Sequence, residues 1–265
     1  MESFKDKVIW ITGASSGIGE ALALELARMG ARLVLSARRE EELKRVGVAT
    51  NLPPLDLFIL PFDLENTSNA SSLIAQIINK FGRIDMLVNN GGFSQRSSVI
   101  ETPVEIDRKI MEVNYFAHIN ITKAVLPYMK RQKEGQIVVV SSIAGKFGFY
   151  LRSSYSAAKH ALHGFFESLR LETESLGIKT LLVCPGKIKT NVSFNAVTSS
   201  GSSHNKMDES HENAMSAQEC AKQIIAAIQN DQEEILIGGK ELLLVKIKRL
   251  LPKLFNKLIR KQSPY

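Results

Sequence analysis

Val8-Ile9-Trp10-Ile11, followed by Thr12-Gly13-Ala14-Ser15-Ser16-Gly17-Ile18-Gly19, is the stretch of this chain that decides its fold. The first four residues form a short apolar run that reads as a buried strand, and a helical pattern begins at Gly19. Between them, Gly13, Gly17 and Gly19 permit a tight turn and a close approach of backbone to ligand. The N-terminus of the following helix favours a pyrophosphate. Strand, glycine loop and helix stand here in the arrangement of a dinucleotide site, with the spacing G-x-x-x-G-x-G in place of G-x-G-x-x-G.

Outward from that loop, strand and helix signals alternate along the chain. Apolar runs at Val8–Ile11, Arg32–Leu35, Leu57–Leu60, Met86–Val88, Ile137–Val140, Thr180–Cys184 and Ile235–Ile237 predict seven strands. Helices are predicted at Gly19–Met29, Ser71–Phe81, Pro103–Lys130, Tyr155–Leu176 and Ala217–Gln229, with another opening near Glu40. The alternation predicts an α/β fold: a doubly wound, seven-stranded parallel sheet of the Rossmann kind with right-handed crossovers. Ligands in such sheets bind beyond the C-terminal strand ends.

The 265 residues suit one domain, and neither a Pro/Gly/Ser-rich linker nor an internal repeat divides them. No apolar run approaches the ~18 residues of a membrane span. The first strand begins within a few residues of Met1, so no signal peptide is expected. Two cysteines, Cys184 and Cys220, suggest no disulfide framework and fit a reducing, cytoplasmic setting. None of the five histidines falls in a ligand pattern, so no metal is expected, and His160 and His163 read as helix packing.

The chemistry is concentrated in Ser154-Tyr155-Ser156-Ala157-Ala158-Lys159, thirteen residues beyond Ser142. On a helix, Tyr155 and Lys159 project from one face. An unperturbed tyrosine ionises near pH ~10, and a neighbouring cation favours the phenolate, making it a usable proton shuttle. A hydroxyl such as that of Ser142 can then bond the substrate oxygen as its charge changes.

With both sites in place, the chain resembles the short-chain dehydrogenase/reductases, in their single-domain branch of roughly 250 residues. The resemblance runs from Lys7 to Gly238 and includes Asp63, Asn89-Asn90-Gly91-Gly92, Asn114, Pro185-Gly186 and Thr190. Gly91 stands where the family more often has alanine. The resemblance implies that Tyr155 is general acid in carbonyl reduction and base in alcohol oxidation. Lys159 is to lower the tyrosine pKa and bond the nicotinamide ribose, and Asn114 is to hold a water linking Lys159 to solvent. Ser142 is to polarise the substrate oxygen; Ser141 competes for that role, and the family spacing selects Ser142. Gly13, Ser15, Ser16, Gly17, Ile18 and Gly19 would cradle the cofactor, with Asp63 and Leu64 flanking adenine and Asn90 and Gly91 near its ribose. Pro185, Gly186, Ile188 and Thr190 would line the nicotinamide end.

The activity this resemblance implies is that of an NADP(H)-dependent oxidoreductase interconverting a carbonyl and a secondary alcohol, assembled as a homodimer or homotetramer. The alternative is a membrane-associated NADP-binding sensor or scaffold, since a fold does not set its function. Cofactor choice rests on Leu35-Ser36-Ala37-Arg38-Arg39 at the end of the second strand. An NAD site usually carries a carboxylate there. A guanidinium can instead clamp the 2′-phosphate of NADP, and Arg38 is the candidate, assisted by Ser15 and Ser36. The other reading is a solvated basic pair opening the helix of Glu40, Glu41 and Glu42.

Residues 191–215 read as a polar lid within a catalytic domain of residues 1–239, with Thr198 to Ser203 alternatively a flexible linker. Phe93, Phe147, Phe149, Tyr150, Val192, Phe194 and Met207 are candidates for an apolar pocket taking a small hydrophobic carbonyl or alcohol. Residues 240–265 are a basic extension with eight cations against one acid, an excess equal to the +7 of the whole chain. Ile247, Leu250, Leu251, Leu254, Phe255, Leu258 and Ile259 recur at helical spacing among those cations. Such a helix suits an anionic membrane surface or packs on the protein itself, with Pro252 kinking it or opening a second helix. Nucleic acid is not an expected partner, because no recognition motif is present. The cofactor motifs all precede Gly239, so that site is expected to be complete without the extension.

Overall fold

The computed structural model describes residues 4–190, 196–204 and 214–262. In chain order the elements are β1 (Val8–Thr12), α1 (Gly17–Arg28), β2 (Arg32–Ser36), α2 (Glu40–Ala49), β3 (Leu57–Ile59), α3 (Ala70–Phe81) and β4 (Met86–Asn89). Next come α4 (Val104–Met111), α5 (Ala117–Gln132), β5 (Gly135–Val140), α6 (Ser153–Thr173), β6 (Ile178–Pro185), β7 (Ile188–Lys189) and β8 (Met215–Ser216). The chain closes with α7 (Ala217–Gln229), β9 (Glu234–Ile237), α8 (Leu243–Leu250) and α9 (Pro252–Arg260).

Seven parallel strands form one sheet in the order β3-β2-β1-β4-β5-β6-β9, and β7 pairs with β8 in a small second sheet. The apolar runs are nearly continuous because both sheet faces are covered. Along β1, Ile9 and Ile11 enter the core beneath α1 and α7. Val8 and Trp10 enter the opposite core, beneath α3, α5 and α6. The strand order reverses between β1 and β4, and a crevice opens there at the C-terminal strand ends.

Two elements depart from the sequence expectation. The helix predicted over Pro103–Lys130 is divided into α4, a π-helical turn at Glu112–Phe116, and α5. The Ser/Gly-rich stretch after Ala196 docks on the body: Val197 exchanges backbone hydrogen bonds with Ser94 and Arg96 and bridges to Ser203. Much of the predicted lid, including Val192, Phe194 and Met207, lies outside the described residues.

The C-terminal extension is two helices, with Pro252 in the first turn of α9, where its missing N–H costs nothing. Phe255 is buried and meets Phe147 edge-on at 5.0 Å, while Phe147 stacks on Phe149 at 4.7 Å. These rings form a separate small core with Ile143, Leu242, Ile247 and Ile259. Phe147 and Phe149 therefore anchor the extension, and neither borders the crevice at the strand ends. Lys248 Nζ donates to the Lys146 carbonyl at 2.7 Å and fastens the same junction. Phe255→Ala is expected to weaken this docking by about 3–5 kcal/mol, the cost of emptying a buried phenylalanine site. Limited trypsinolysis would show faster cleavage within α8 and α9 while the domain resists; unchanged cleavage would mean that Phe255 is not the anchor.

Candidate active site

A cleft of about 520 Å³ runs along the crevice from the β2 end to the first turn of α6. That volume is in the range of small-molecule and cofactor sites. Gly13, Ser15, Ser16, Gly17 and Ile18 line one side, with Arg38, Asp63, Leu64, Asn90 and Gly91. Asn114, Ser142, Tyr155, Lys159, Pro185, Gly186, Ile188 and Thr190 line the other. One cofactor expectation is corrected. Gly19 does not border the cleft: a Cβ there would strike the Gly13 carbonyl and the Asn90 side chain, so its role is close packing.

The glycine loop is left-handed at Gly13 (φ 66°) and Gly17 (φ 61°), which favours glycine at both. A Cβ on Gly13 would sit 2.6 Å from the Gly91 Cα, and one on Gly17 would sit 3.1 Å from Thr190 Cγ2. Ser16 precedes α1 without a side-chain capping bond, which leaves first-turn amides for an anion. These features fit a dinucleotide pyrophosphate held by backbone.

The Asn-Asn-Gly-Gly loop faces this one. Thr12 Oγ1 donates to the Val88 carbonyl at 3.2 Å and accepts from the Asn90 and Gly91 amides at 3.0 and 3.2 Å. Asn90 Nδ2 returns to the carbonyls of Thr12 and Gly13 at 3.0 and 3.1 Å, so its side chain holds the glycine loop. The space an alanine methyl would fill at Gly91 is taken by Leu64 Cδ1.

At the β2 end, Arg39 Nη2 donates to Ser15 Oγ at 3.2 Å, while Arg38 is exposed along the cleft wall. Ser36 is buried and accepts from Trp10 Nε1 at 2.9 Å. Lys109 and Glu65 both border the cleft and pair across it at 2.9 Å.

Four segments converge at the other end. Asn114 sits in the π turn, donates to the Ile110 carbonyl at 3.1 Å and accepts from the Phe93 amide at 3.3 Å. The extra residue in that turn aims the carboxamide sideways at Gly92, where a Cβ would strike its Oδ1. Ser142 begins a 3-10 turn, accepting from the Ala144 amide at 3.1 Å and donating to the Pro185 carbonyl at 3.4 Å. Ser141 points into the body instead, bonding the Lys159 carbonyl at 3.2 Å and His163 Nε2 at 3.1 Å.

Lys159 is buried and donates from Nζ to the Val140 carbonyl at 2.9 Å, with Nζ 5.7 Å from the Tyr155 ring centre. Burial pushes its pKa down to about 8. Burial also raises the Tyr155 pKa, opposed by the Ser142 hydroxyl and the charges of Arg152 and Arg96. The net direction is upward, where the sequence led us to expect a lowered tyrosine pKa, and burial is the largest cause. Desolvation outweighs the Ser142 hydroxyl and the two arginine charges here.

Sequence reasoning missed two buried positioning groups. Gln95 Oε1 accepts from the Ser154 and Tyr155 amides at 2.9 and 3.3 Å and so caps the helix carrying Tyr155. His118 Nε2 lies 2.8 Å from the Gly91 carbonyl and must carry the ring proton; burial and then the Lys159 charge push its pKa down to about 3. His118 falls four residues after Asn114 on the same face, which is the one local signal that could have found it. Behind the cleft, His163, Cys184 and Glu234 come within 4.8 Å of one another, and Lys146 already supplies the cation, 2.5 Å from Glu234 and 3.3 Å from His163.

Residues 7–200 match the model of the short chain dehydrogenases. The chain belongs to the short-chain dehydrogenase/reductase family. It is 43% identical over 237 residues to a "Dehydrogenase/reductase SDR family protein 7-like" of Anopheles gambiae, covering 88% of this chain and 75% of that one. It is 42% identical over 247 residues to the human "Dehydrogenase/reductase SDR family member 7", covering 91% and 72%. Among solved structures, a short chain dehydrogenase/reductase of Burkholderia phymatum in complex with NAD matches with a TM-score of 0.85 at 23% identity, over 96% of both chains. Levodione reductase matches with a TM-score of 0.78 at 25% identity, over 90% of this chain and 98% of that one. The protein is an oxidoreductase of a fold that binds a nicotinamide cofactor.

The Lys159 shift makes a testable statement about stability. Its pKa in the fold, about 8, lies below the ordinary 10.5, so between those values the unfolded chain holds more protons. Stability from this group therefore rises with pH across that window, and the cost of burying the ammonium is complete below it. Relative to wild type, Lys159→Met should be favoured at pH 7 and lose that advantage by about pH 10. Thermal unfolding of both proteins across that range reads the gap; a pH-independent gap would mean that Lys159 is not shifted.

Proposed function

We propose that this protein is an NADP(H)-dependent oxidoreductase interconverting a carbonyl and a secondary alcohol on a small hydrophobic substrate. The observation that carries the reading is the meeting of Ser142, Tyr155, Lys159 and Asn114 at one end of a cleft whose other end holds two arginines and no carboxylate at the β2 terminus. A bound nicotinamide supplies or accepts the hydride. Tyr155 gives its phenolic proton to the nascent alkoxide in reduction and takes it back in oxidation. Ser142 donates a hydrogen bond to the same oxygen, and the buried Lys159 stabilises the phenolate left behind. Phe93 and Val197 supply apolar lining beside these groups. The sensor or scaffold alternative has no observation in its favour.

The outer face of the C-terminal helices supports peripheral contact with an anionic membrane. Leu243, Leu250, Leu251 and Leu254 are exposed there, Leu250 at 75%, together with Lys246, Arg249, Lys253 and Lys257. Among the described residues no helix is long and apolar enough to cross a membrane. Apolar insertion and the attraction of cations to anionic headgroups would act together.

Tyr155→Phe should lower kcat by about 10²- to 10⁴-fold while NADPH affinity stays within about twofold, because only the proton-transfer hydroxyl is removed. Near-normal turnover in a folded variant would end the mechanism. Arg38→Ala should weaken NADPH by about 1.5–3 kcal/mol and leave NADH nearly unchanged. A selective NADPH loss in Arg39→Ala instead would move the phosphate contact to Arg39. For the membrane, a Leu250→Glu/Leu254→Glu protein should stop co-sedimenting with phosphatidylserine vesicles that retain wild type at low salt. Wild type that ignores such vesicles would remove this part of the proposal.

A further inference from the structure

The turn that follows β6 at Pro185 is held from outside the sheet. Glu241, in the 3-10 turn that opens the C-terminal extension, directs Oε1 back to the Lys187 amide at 2.9 Å and to the Gly239 amide at 3.1 Å. The Gly186 amide in turn donates to the Ile237 carbonyl at 2.7 Å. Space for the carboxylate exists only because its neighbours lack side chains. A Cβ on Gly186 would run into Oε1 and lie 3.0 Å from Cγ, and one on Gly238 would lie 2.7 Å from Oε1. Three glycines, at 186, 238 and 239, thus surround one acid. Glycine turns are conformationally loose unless something outside them selects one geometry. Burial pushes the Glu241 carboxyl up, but the amides of Lys187, Gly239 and Glu241 itself, with the Lys187 charge, outweigh it and hold the group below the usual carboxylate range. The bonds are therefore charge-assisted at neutral pH.

We infer that Glu241 is a positioning residue for the Pro185-Gly186-Lys187 turn, so that the start of the C-terminal extension is part of the cofactor site. Gly186 and Pro185 border the cleft opposite the glycine loop, and Ser142 bonds the Pro185 carbonyl, so a shift in this turn reaches both the cofactor wall and the catalytic serine. The inference rests on the dinucleotide reading of the cleft. It also reverses the expectation that the site is complete before Gly239.

Glu241→Ala and Glu241→Gln, compared with wild type, test it. The measurements are NADPH Kd by fluorescence, KM and kcat for a carbonyl substrate, thermal unfolding, and trypsin cleavage of α8 and α9. The alanine variant should raise the Kd for NADPH about tenfold, because only a fraction of the loosened turns would then hold the binding geometry, with the C-terminal helices still docked by Phe255. Glutamine keeps an acceptor and should recover most of the affinity. If alanine frees the helices or lowers Tm while NADPH binds as in wild type, Glu241 is a stitch for the extension and the proposal falls. Wild type that binds neither NADPH nor NADH would overturn it differently, by removing the dinucleotide site that the turn is argued to serve.

Discussion

The Thr12 hydroxyl joins the two loops on which the cleft depends. β1 and β4 are parallel neighbours, and their ladder ends where the strands do, so nothing in the sheet itself holds the chains that leave them. Thr12 Oγ1 uses its proton on Val88 and its lone pairs on the amides of Asn90 and Gly91, and Asn90 returns two bonds to Thr12 and Gly13. Each bond contributes on the order of 1 kcal/mol, but leaving those buried groups unpaired would cost more. The clamp demands close approach, which is why Gly13, Gly19 and Gly91 crowd one another and Leu64. His118 extends it through the Gly91 carbonyl to the helix face that also carries Asn114.

A second constraint is desolvation at the end of the cleft that holds Tyr155 and Lys159. Tyr155 and Lys159 lie one helical turn apart, and counting only their charges predicts a depressed tyrosine pKa. Burial disfavours the charged form of each, so the tyrosine rises and the lysine falls to about 8. The lysine answers with a bond to the Val140 carbonyl at a strand end, and Gln95 fixes the helix start beneath the phenol. The Tyr155–Lys159 pair is thus placed by contacts from two other segments as much as by its own helix.

The basic extension divides its two faces between different uses. Phe255 and Ile259 turn inward to Phe147 and Phe149, which leave the short turn that starts at Ser142. Glu241 turns inward to the β6 end. Leu250, Leu251 and Leu254 stay outside among the cations. An amphipathic pattern alone records that such faces exist and leaves both the membrane and the self-packing readings open. The inward face is taken by the protein's own rings.

Much of this protein is legible in its residues alone. Val8–Ile11 reads as a strand because a strand buried on both faces needs an unbroken apolar run, and Gly13 and Gly17 read as a turn because glycine adopts left-handed backbone angles at least cost. Periodicity and backbone sterics are local, so the seven strands, their alternation with helices and the family are all readable from the chain before it folds. The same is true of Tyr155 and Lys159 sharing one helix face. The π turn at Asn114, the capping of α6 by Gln95, the Glu241 bonds and the raised tyrosine pKa emerge only in the folded molecule. Each depends on groups far apart in the chain, and on the removal of water between them, which no local pattern encodes.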